Sequence, residues 1–105
     1  MANRQRGEIE AQLDGRKWTL CLTLGALAEL EAALGAGDLM ALAKRFEEGR
    51  LSSADAIRVI GSGLRGAGNN IDDAAVAAMR AEGGAAGYVA IVAELLSATF
   101  GGGVD

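Results

Sequence analysis

The sequence of 105 residues contains no histidine, no proline and a single cysteine. Without histidine, the commonest general base and the commonest metal ligand are missing, which excludes every catalytic triad that uses imidazole. Cys21 has no second cysteine for an internal disulfide or a zinc site, and no histidine to activate its thiol. Adjacent acids such as Asp72 and Asp73 point apart on a helix instead of converging. We therefore expect no enzyme, no metal site and no cofactor.

Positive charge is also scarce, because 10 Lys and Arg face 14 Asp and Glu and give a net charge of −4. This sign is unfavourable for neutralising phosphates, so we expect no nucleic-acid partner. The longest apolar stretch, residues 85–100, carries Glu94 and is shorter than the about 18 residues that indicate a membrane span. Residues 1–12 contain no apolar run typical of a secretory signal. We expect a cytoplasmic protein without a membrane role.

What is present is an aliphatic chain of a size suited to one domain. Half of the residues are apolar, 23% are charged and only 4% are aromatic, which is a globular balance. We expect one α+β domain over residues 1–105, with a flexible leader at 1–6 and a flexible tail at 101–105. Its core should consist of aliphatic helix faces that approach closely at small residues.

Residues 7–22 predict an N-terminal β-hairpin. Apolar and polar residues alternate with a period of two on both sides of Asp14-Gly15, a dipeptide that favours a type I′ turn. The two-residue loop fixes a register that brings both apolar sets to one face and leaves Cys21 on the wetter face. The predicted pairs are Leu13 with Arg16, Ala11 with Trp18, and Ile9 with Leu20. Two strands alone are marginally stable, so the hairpin has to lean on helices or gain a third strand.

Residues 23–100 predict a compact bundle of four to five short helices. Apolar residues recur at helical spacing, and capping residues or glycines separate the repeats. The predicted helices are 24–34 between Thr23 and Gly35, one from Asp38 to Gly49, one from the Ser52–Asp55 capping box to about 66–70, one from Asp72 or Asp73 through Arg80, and 85–100 after Gly83-Gly84. The last helix is apolar nearly all round, which indicates that it is either enclosed in the core or covered by a partner.

Residues 61–66, Gly-Ser-Gly-Leu-Arg-Gly, match the dinucleotide-binding pattern G-x-G-x-x-G. That fold needs a parallel strand before the glycines, such as residues 56–60, and another strand about 20 residues later, yet no second strand is visible. Ile57, Ile60 and Leu64 also keep helical spacing through the glycines. Close helix packing or a helix end is the preferred interpretation, and nucleotide binding is the alternative.

Several short runs resemble a known family. They are 6–11 (RGEIEA), 13–15 (LDG), 20–31 (LCLTLGALAELE), 51–52 (LS) and 60–68 (IGSGLRGAG). These runs resemble the small tail protein family of bacterial gene transfer agents, which are phage-like particles; the family is grouped with phage tail assembly chaperones. The resemblance implies a helper that binds the tape measure protein and keeps it soluble until the tail tube assembles. The alternative is a structural component, a tail tube or terminator subunit, but a tube subunit should need a larger sheet than two strands.

The expected partner surface lies on the last helix and on the first. Aliphatic surface there could cover the apolar stripes of a long helical client, and the neighbouring small residues allow close approach. The candidate residues are Leu27, Tyr88, Ile91, Val92, Leu95 and Phe100. We expect the tail tape measure protein as partner, with other tail proteins and a second copy of the chain as further candidates.

Overall fold

The computed structural model describes residues 2–48 and 51–101. After a 3-10 turn at Arg4–Arg6, the elements in chain order are β1 (Glu8–Leu13), β2 (Arg16–Cys21), α1 (Leu24–Leu34), α2 (Leu39–Glu47), α3 (Ser53–Gly66), α4 (Asp73–Ala78) and α5 (Ala85–Phe100). The predicted α+β architecture, an N-terminal hairpin followed by helices, is confirmed. Apart from Gly101, the predicted flexible tail lies outside the described residues.

The hairpin has the predicted register. Antiparallel partners include Ile9 with Leu20 and Leu13 with Arg16. Asp14 and Gly15 both have positive φ, 55° and 73°, as a type I′ turn requires. The alternation then buries the side chains of Ile9, Ala11, Leu13 and Leu20 in the core. The described part of the chain contains one sheet, and it has only these two strands.

The side chain of Trp18 stabilises the hairpin near its turn. Its indole Nε1–H donates a hydrogen bond of 3.1 Å to the carbonyl oxygen of Leu13. The guanidinium carbon of Arg16 lies 4.4 Å from the centroid of the same ring. A cation over an aromatic face contributes about 0.5–1 kcal/mol at an exposed site. The turn is therefore held by side chains as well as by its backbone.

Side-chain caps begin four of the helices at the predicted residues. Each cap accepts a backbone N–H that would otherwise have no partner in the first turn. The side-chain oxygens accept from backbone nitrogens three residues later: Thr23 from Ala26 (3.1 Å), Asp38 from Ala41 (2.8 Å), Ser52 from Asp55 (3.1 Å) and Asp72 from Ala75 (2.9 Å). At α3 the box is complete, because the carboxylate of Asp55 accepts the backbone N–H of Ser52. Asp72, and not Asp73, is therefore the cap of α4.

The fourth helix ends at Ala78, two residues before the predicted Arg80. Met79 is already extended, and Ala81 forms an isolated antiparallel bridge with Leu13. The backbone N–H of Asp14 donates to the carbonyl oxygen of Arg80 (2.8 Å), and the carboxylate of Asp14 accepts the N–H of Arg80 (2.9 Å). The prediction of a helix through Arg80 is wrong because hydrogen bonds to the hairpin turn replace helical ones.

Helix α3 is the central element, and it packs against α1, β2, α4 and α5. Its Val59, Ile60 and Leu64 are buried together with residues of the hairpin, α1 and α5. Arg65 extends from the same helix and pairs with Glu29 of α1 (2.8 Å) and Asp73 of α4 (3.0 Å). Apolar contacts and ion pairs thus connect the other elements through α3.

Candidate functional site

An open apolar cleft lies between α3 and α5, with a cavity volume of about 640 Å³. Helix α5 contributes six residues, which recur every three or four positions and therefore form one stripe along the helix. These residues are Ala85, Tyr88, Val89, Val92, Ala93 and Leu96. From α3, Ala56, Ile57 and Ile60 form the facing wall. The stripe of α5 runs over about three helical turns, whereas the wall from α3 is shorter.

The apolar residues around α5 lie in two environments. Ile91 and Leu95 are buried in the core, whereas Val89 remains 68% exposed at the cleft. Neither of the two sequence-based alternatives, enclosure in the core or cover by a partner, describes the helix completely. One side of α5 packs in the core, and another side forms exposed apolar surface at the cleft.

The described lining of the cleft is apolar and uncharged. None of the described residues that line it is charged, and its polar side chains are Ser52, Ser53 and Tyr88. The hydroxyl of Tyr88 is already engaged, since it donates to the carbonyl oxygen of Met79. The described lining of the cleft is thus suited to apolar side chains of a ligand or another protein.

The structure separates the predicted partner-binding residues into two groups. Tyr88 and Val92 line the cleft, and Val92 is at the same time buried in the core at 3% exposure. Leu27, Ile91 and Leu95 are buried in the core of this molecule, and Phe100, 37% exposed, has its ring centroid 6.4 Å from that of Phe46. A role of these six residues in partner binding stays a prediction.

Sequence reasoning missed Val89 and Leu96 on the same stripe of α5. Both lie three or four positions from Tyr88 or Val92, so helical spacing alone was a sufficient signal for them. Ile57 and Ile60 of α3 were missed as well. No local signal could have assigned them, because their place in the cleft depends on how α3 packs against α5.

The glycine motif lies inside α3, and residues 56–60 are helical, not a strand. A Cβ built on Gly63 would lie 2.7 Å from Cδ2 of Leu95. Cβ atoms on Gly61 and Gly66 would collide with the carboxylate of Asp73 and the carbonyl oxygen of Cys21. The three glycines therefore allow α4, α5 and β2 to approach α3 closely. The preferred interpretation, close helix packing or a helix end, is confirmed, since the glycines lie at close contacts of α3 and Gly66 is its last residue.

A polar cluster around Arg65 occupies a second, smaller concavity. Besides its two carboxylate partners, the guanidinium donates to the carbonyl oxygen of Ile71 (3.0 Å), and the hydroxyl of Ser62 donates to Glu29 (3.2 Å). Burial alone would lower the pKa of Arg65, but its hydrogen bonds to Asp73 and Glu29 outweigh burial and raise it. The cluster thus links α1, α3 and α4 through one guanidinium that two carboxylates share.

Other kinds of site have little support in the described ranges. Cys21 is half-buried, and burial, with a contribution from Glu8, raises the pKa of its thiol, which disfavours the reactive thiolate. Residues 2–48 and 51–101 contain no group of three His, Cys, Asp or Glu that could hold a metal ion. Within the same ranges, no helix has the length and apolar character to cross a membrane.

Comparison with known proteins gives one family. Residues 6–102 match the family described as phage tail tube protein, GTA-gp10. Comparisons with curated proteins and with solved structures gave no match. The family match confirms a phage-like tail protein of the gene transfer agent type, and its description supports the structural alternative better than a chaperone. The matched range includes the hairpin and all of α1 to α5, so the chain belongs to the family of the phage tail tube protein GTA-gp10.

Proposed function

We propose that this chain is a structural subunit of a phage-like tail, a component of the tail tube, and that the apolar cleft binds a neighbouring copy. The description of the family supports the assignment to the tube. The observation that carries the proposal is the uncharged cleft, where Val89 and its neighbours on α5 leave apolar surface open to water. Burial of such surface contributes roughly 25 cal/mol per Å², so a second chain that covers it is stabilised there.

A tube built from repeated copies needs two different surfaces on each subunit, because its contacts are head-to-tail. The cleft provides one apolar surface. Leu24 at the start of α1 and Met40 in the first turn of α2 are 75% and 81% exposed, and neither lines the cleft. These two side chains are candidates for the second surface.

The proposal is tested by Val89→Asp, with Ala90→Asp as the matched control. Both residues are exposed on α5, so neither charge has to be buried in the free chain, but only Val89 is among the described residues that line the cleft. An unpaired charge buried in an apolar interface costs several kcal/mol, and each 1.4 kcal/mol reduces an association constant about tenfold. We expect Val89→Asp to reduce the yield of complete tails at least about tenfold, whereas Ala90→Asp leaves it close to normal. Equal yields from the two variants would contradict binding through the cleft.

A chaperone for the tape measure protein is the second candidate, and a specific observation favours it. The sheet in the described ranges has only two strands, although a tube subunit was expected to need more. The apolar stripe of α5 at the cleft could instead receive the apolar stripe of a long helix. Mass spectrometry of purified particles distinguishes the two roles. A tube subunit is present in many copies per particle, whereas a chaperone is absent from particles whose assembly requires it.

The remaining functional expectations stand as part of the same proposal. The chain acts by binding protein and not by catalysis, and it has neither a nucleic-acid nor a membrane partner. The support is the missing histidine, the net charge of −4 and the uncharged cleft. A thermal shift assay with NAD or ATP tests the catalytic alternative. Stabilisation by either nucleotide would contradict the proposal.

A further inference from the structure

Residues 72–82 lie against the apolar cleft, and we name this segment the strap. It consists of α4 and the extended residues that follow it. Val76, Ala77 and Met79 of the strap line the cleft. Most of its other side chains, including those of Arg80 and Glu82, are exposed. The strap is therefore a thin layer between part of the cleft and solvent.

Glycines in the left-handed region of φ lie near both ends of the strap. Gly68 precedes it with a φ of 97°, and Gly83 and Gly84 follow it with φ values of 88° and 63°. Glycine changes between backbone regions without the steric penalty that other residues meet. Hinges of this kind let a segment rotate while the helices beside it stay intact. The backbone thus has suitable pivots on both sides of the strap.

The strap is held by contacts to three other parts of the chain: the hairpin turn, α3 and the start of α5. Val76 and Met79 are its buried side chains, and its carboxylate at Asp73 forms a partly exposed ion pair with Arg65. Two hydrogen bonds join Arg80 to Asp14, and Ala81 forms a bridge with Leu13. The hydroxyl of a tyrosine in α5 donates to the carbonyl oxygen of Met79. A helix of six residues, as α4 is, has little stability of its own. Once these contacts break, nothing within α4 keeps it folded in place.

The deepest part of the core belongs to other elements. Leu20, Leu30, Leu64 and Leu95, all fully buried, come from β2, α1, α3 and α5. Proteins open in local units when a segment contributes few buried contacts, and such openings need less free energy than global unfolding. The distribution of buried residues therefore permits the strap to detach while the hairpin and the long helices remain packed.

We propose that the strap is a displaceable cover of the cleft. It detaches from α3 and from the hairpin turn as one unit, which opens the cleft further around Leu13 and Ile60, two buried residues that line it, and frees the backbone N–H of Asp14. The occupant of the opened cleft is a second copy of the chain, and this point alone rests on the proposed function. The strap would thus keep part of an assembly surface covered in the free subunit.

Cysteine labelling of the free, purified chain tests the detachment directly. In a Cys21→Ser background, Val76→Cys places a thiol on the buried side of the strap, and Val59→Cys places one in α3, fully buried, as the matched control. We expect the strap thiol to react with a disulfide reagent at least about tenfold faster than the α3 thiol, because a local opening is more populated than the globally unfolded state. Equal rates with equal dependence on urea would overturn the proposal.

A second substitution examines the ion pair that anchors the strap. Asp73→Ala removes one carboxylate partner of Arg65 and should raise the labelling rate of the thiol at position 76 several-fold, with little change at position 59. An equal rise at both positions would mean that Asp73 stabilises the whole fold, and it would overturn the anchor role. Since these experiments use the free chain, they succeed or fail independently of the tail-assembly result for Val89→Asp.

Discussion

Replacing Gly66 with alanine is expected to force α3 away from β2. Gly66 is the last residue of α3, and a Cβ at this position would meet the carbonyl oxygen of Cys21 at well under 3.0 Å, closer than Cβ atoms come in real structures. The obstacle is backbone, so no side-chain rotation relieves it. The helix end and the strand end have to separate by roughly 1 Å, which loosens the packing between them.

The magnitude follows from two opposing effects. Overpacking of a close contact costs typically about 1–3 kcal/mol. Alanine gains up to about 1 kcal/mol over glycine inside a helix, and less at its last residue. We therefore expect Gly66→Ala to lower the free energy of unfolding by about 1–2 kcal/mol. The control is Gly25→Ala in α1, where the nearest atom, Oγ1 of Thr23, lies at an ordinary 3.9 Å. There the helical gain acts alone, and stability should stay equal or rise by up to about 1 kcal/mol.

Urea unfolding followed by circular dichroism measures both variants. The dependence of the unfolding free energy on urea should be the same as in the parent chain, so that a change of midpoint reports stability alone. The expected order is Gly25→Ala at or above the parent and Gly66→Ala below it. If Gly66→Ala were as stable as Gly25→Ala, the close approach of α3 to β2 would not determine the choice of glycine, and our explanation of the glycine motif would fail.

Two further predictions concern the core and the thiol. Leu95→Ala removes a fully buried side chain beside Gly63 and should lower the free energy of unfolding by about 2–5 kcal/mol; a loss below about 1 kcal/mol would show that the side chain is not packed as described. Because burial and Glu8 raise the pKa of Cys21, the pH midpoint of its alkylation by iodoacetamide should be higher in the folded chain than in urea. The protonated thiol of Cys21 therefore contributes its full stabilisation below the pKa of the unfolded chain, and this stabilisation is lost as pH rises through the pKa of the folded chain. An alkylation midpoint in the folded chain that is equal to or lower than that in urea would contradict both expectations.

The hairpin could be predicted residue by residue because its determinants are local. Asp14-Gly15 specifies the turn, and the period of two then assigns every side chain to a face. The starts of the helices were predictable for a similar reason, since a capping residue and the N–H that it accepts are only three positions apart. In both cases the residues that interact are close neighbours in the sequence.

The end of α4 and the cleft depend on contacts that the sequence does not place side by side. The helix α4 ends before Arg80 because the backbone N–H of Arg80 donates a hydrogen bond to Asp14, 66 residues earlier in the chain. The division of α5 into a core side and a cleft side depends on where α3 and the hairpin lie. Spacing grouped Tyr88 and Val92 with Ile91 and Leu95 as one partner surface, although the structure puts only the first two at the cleft.

The placement of the single tryptophan and the single tyrosine gives the molecule two intrinsic optical reporters. The indole N–H of Trp18 donates a hydrogen bond to the backbone of the hairpin, and the hydroxyl of Tyr88 donates one to the backbone just after α4. Indole fluorescence therefore reports unfolding of the hairpin, and phenol absorbance reports detachment of the strap. Transitions of the two chromophores that fail to coincide would reveal stepwise melting without any attached dye.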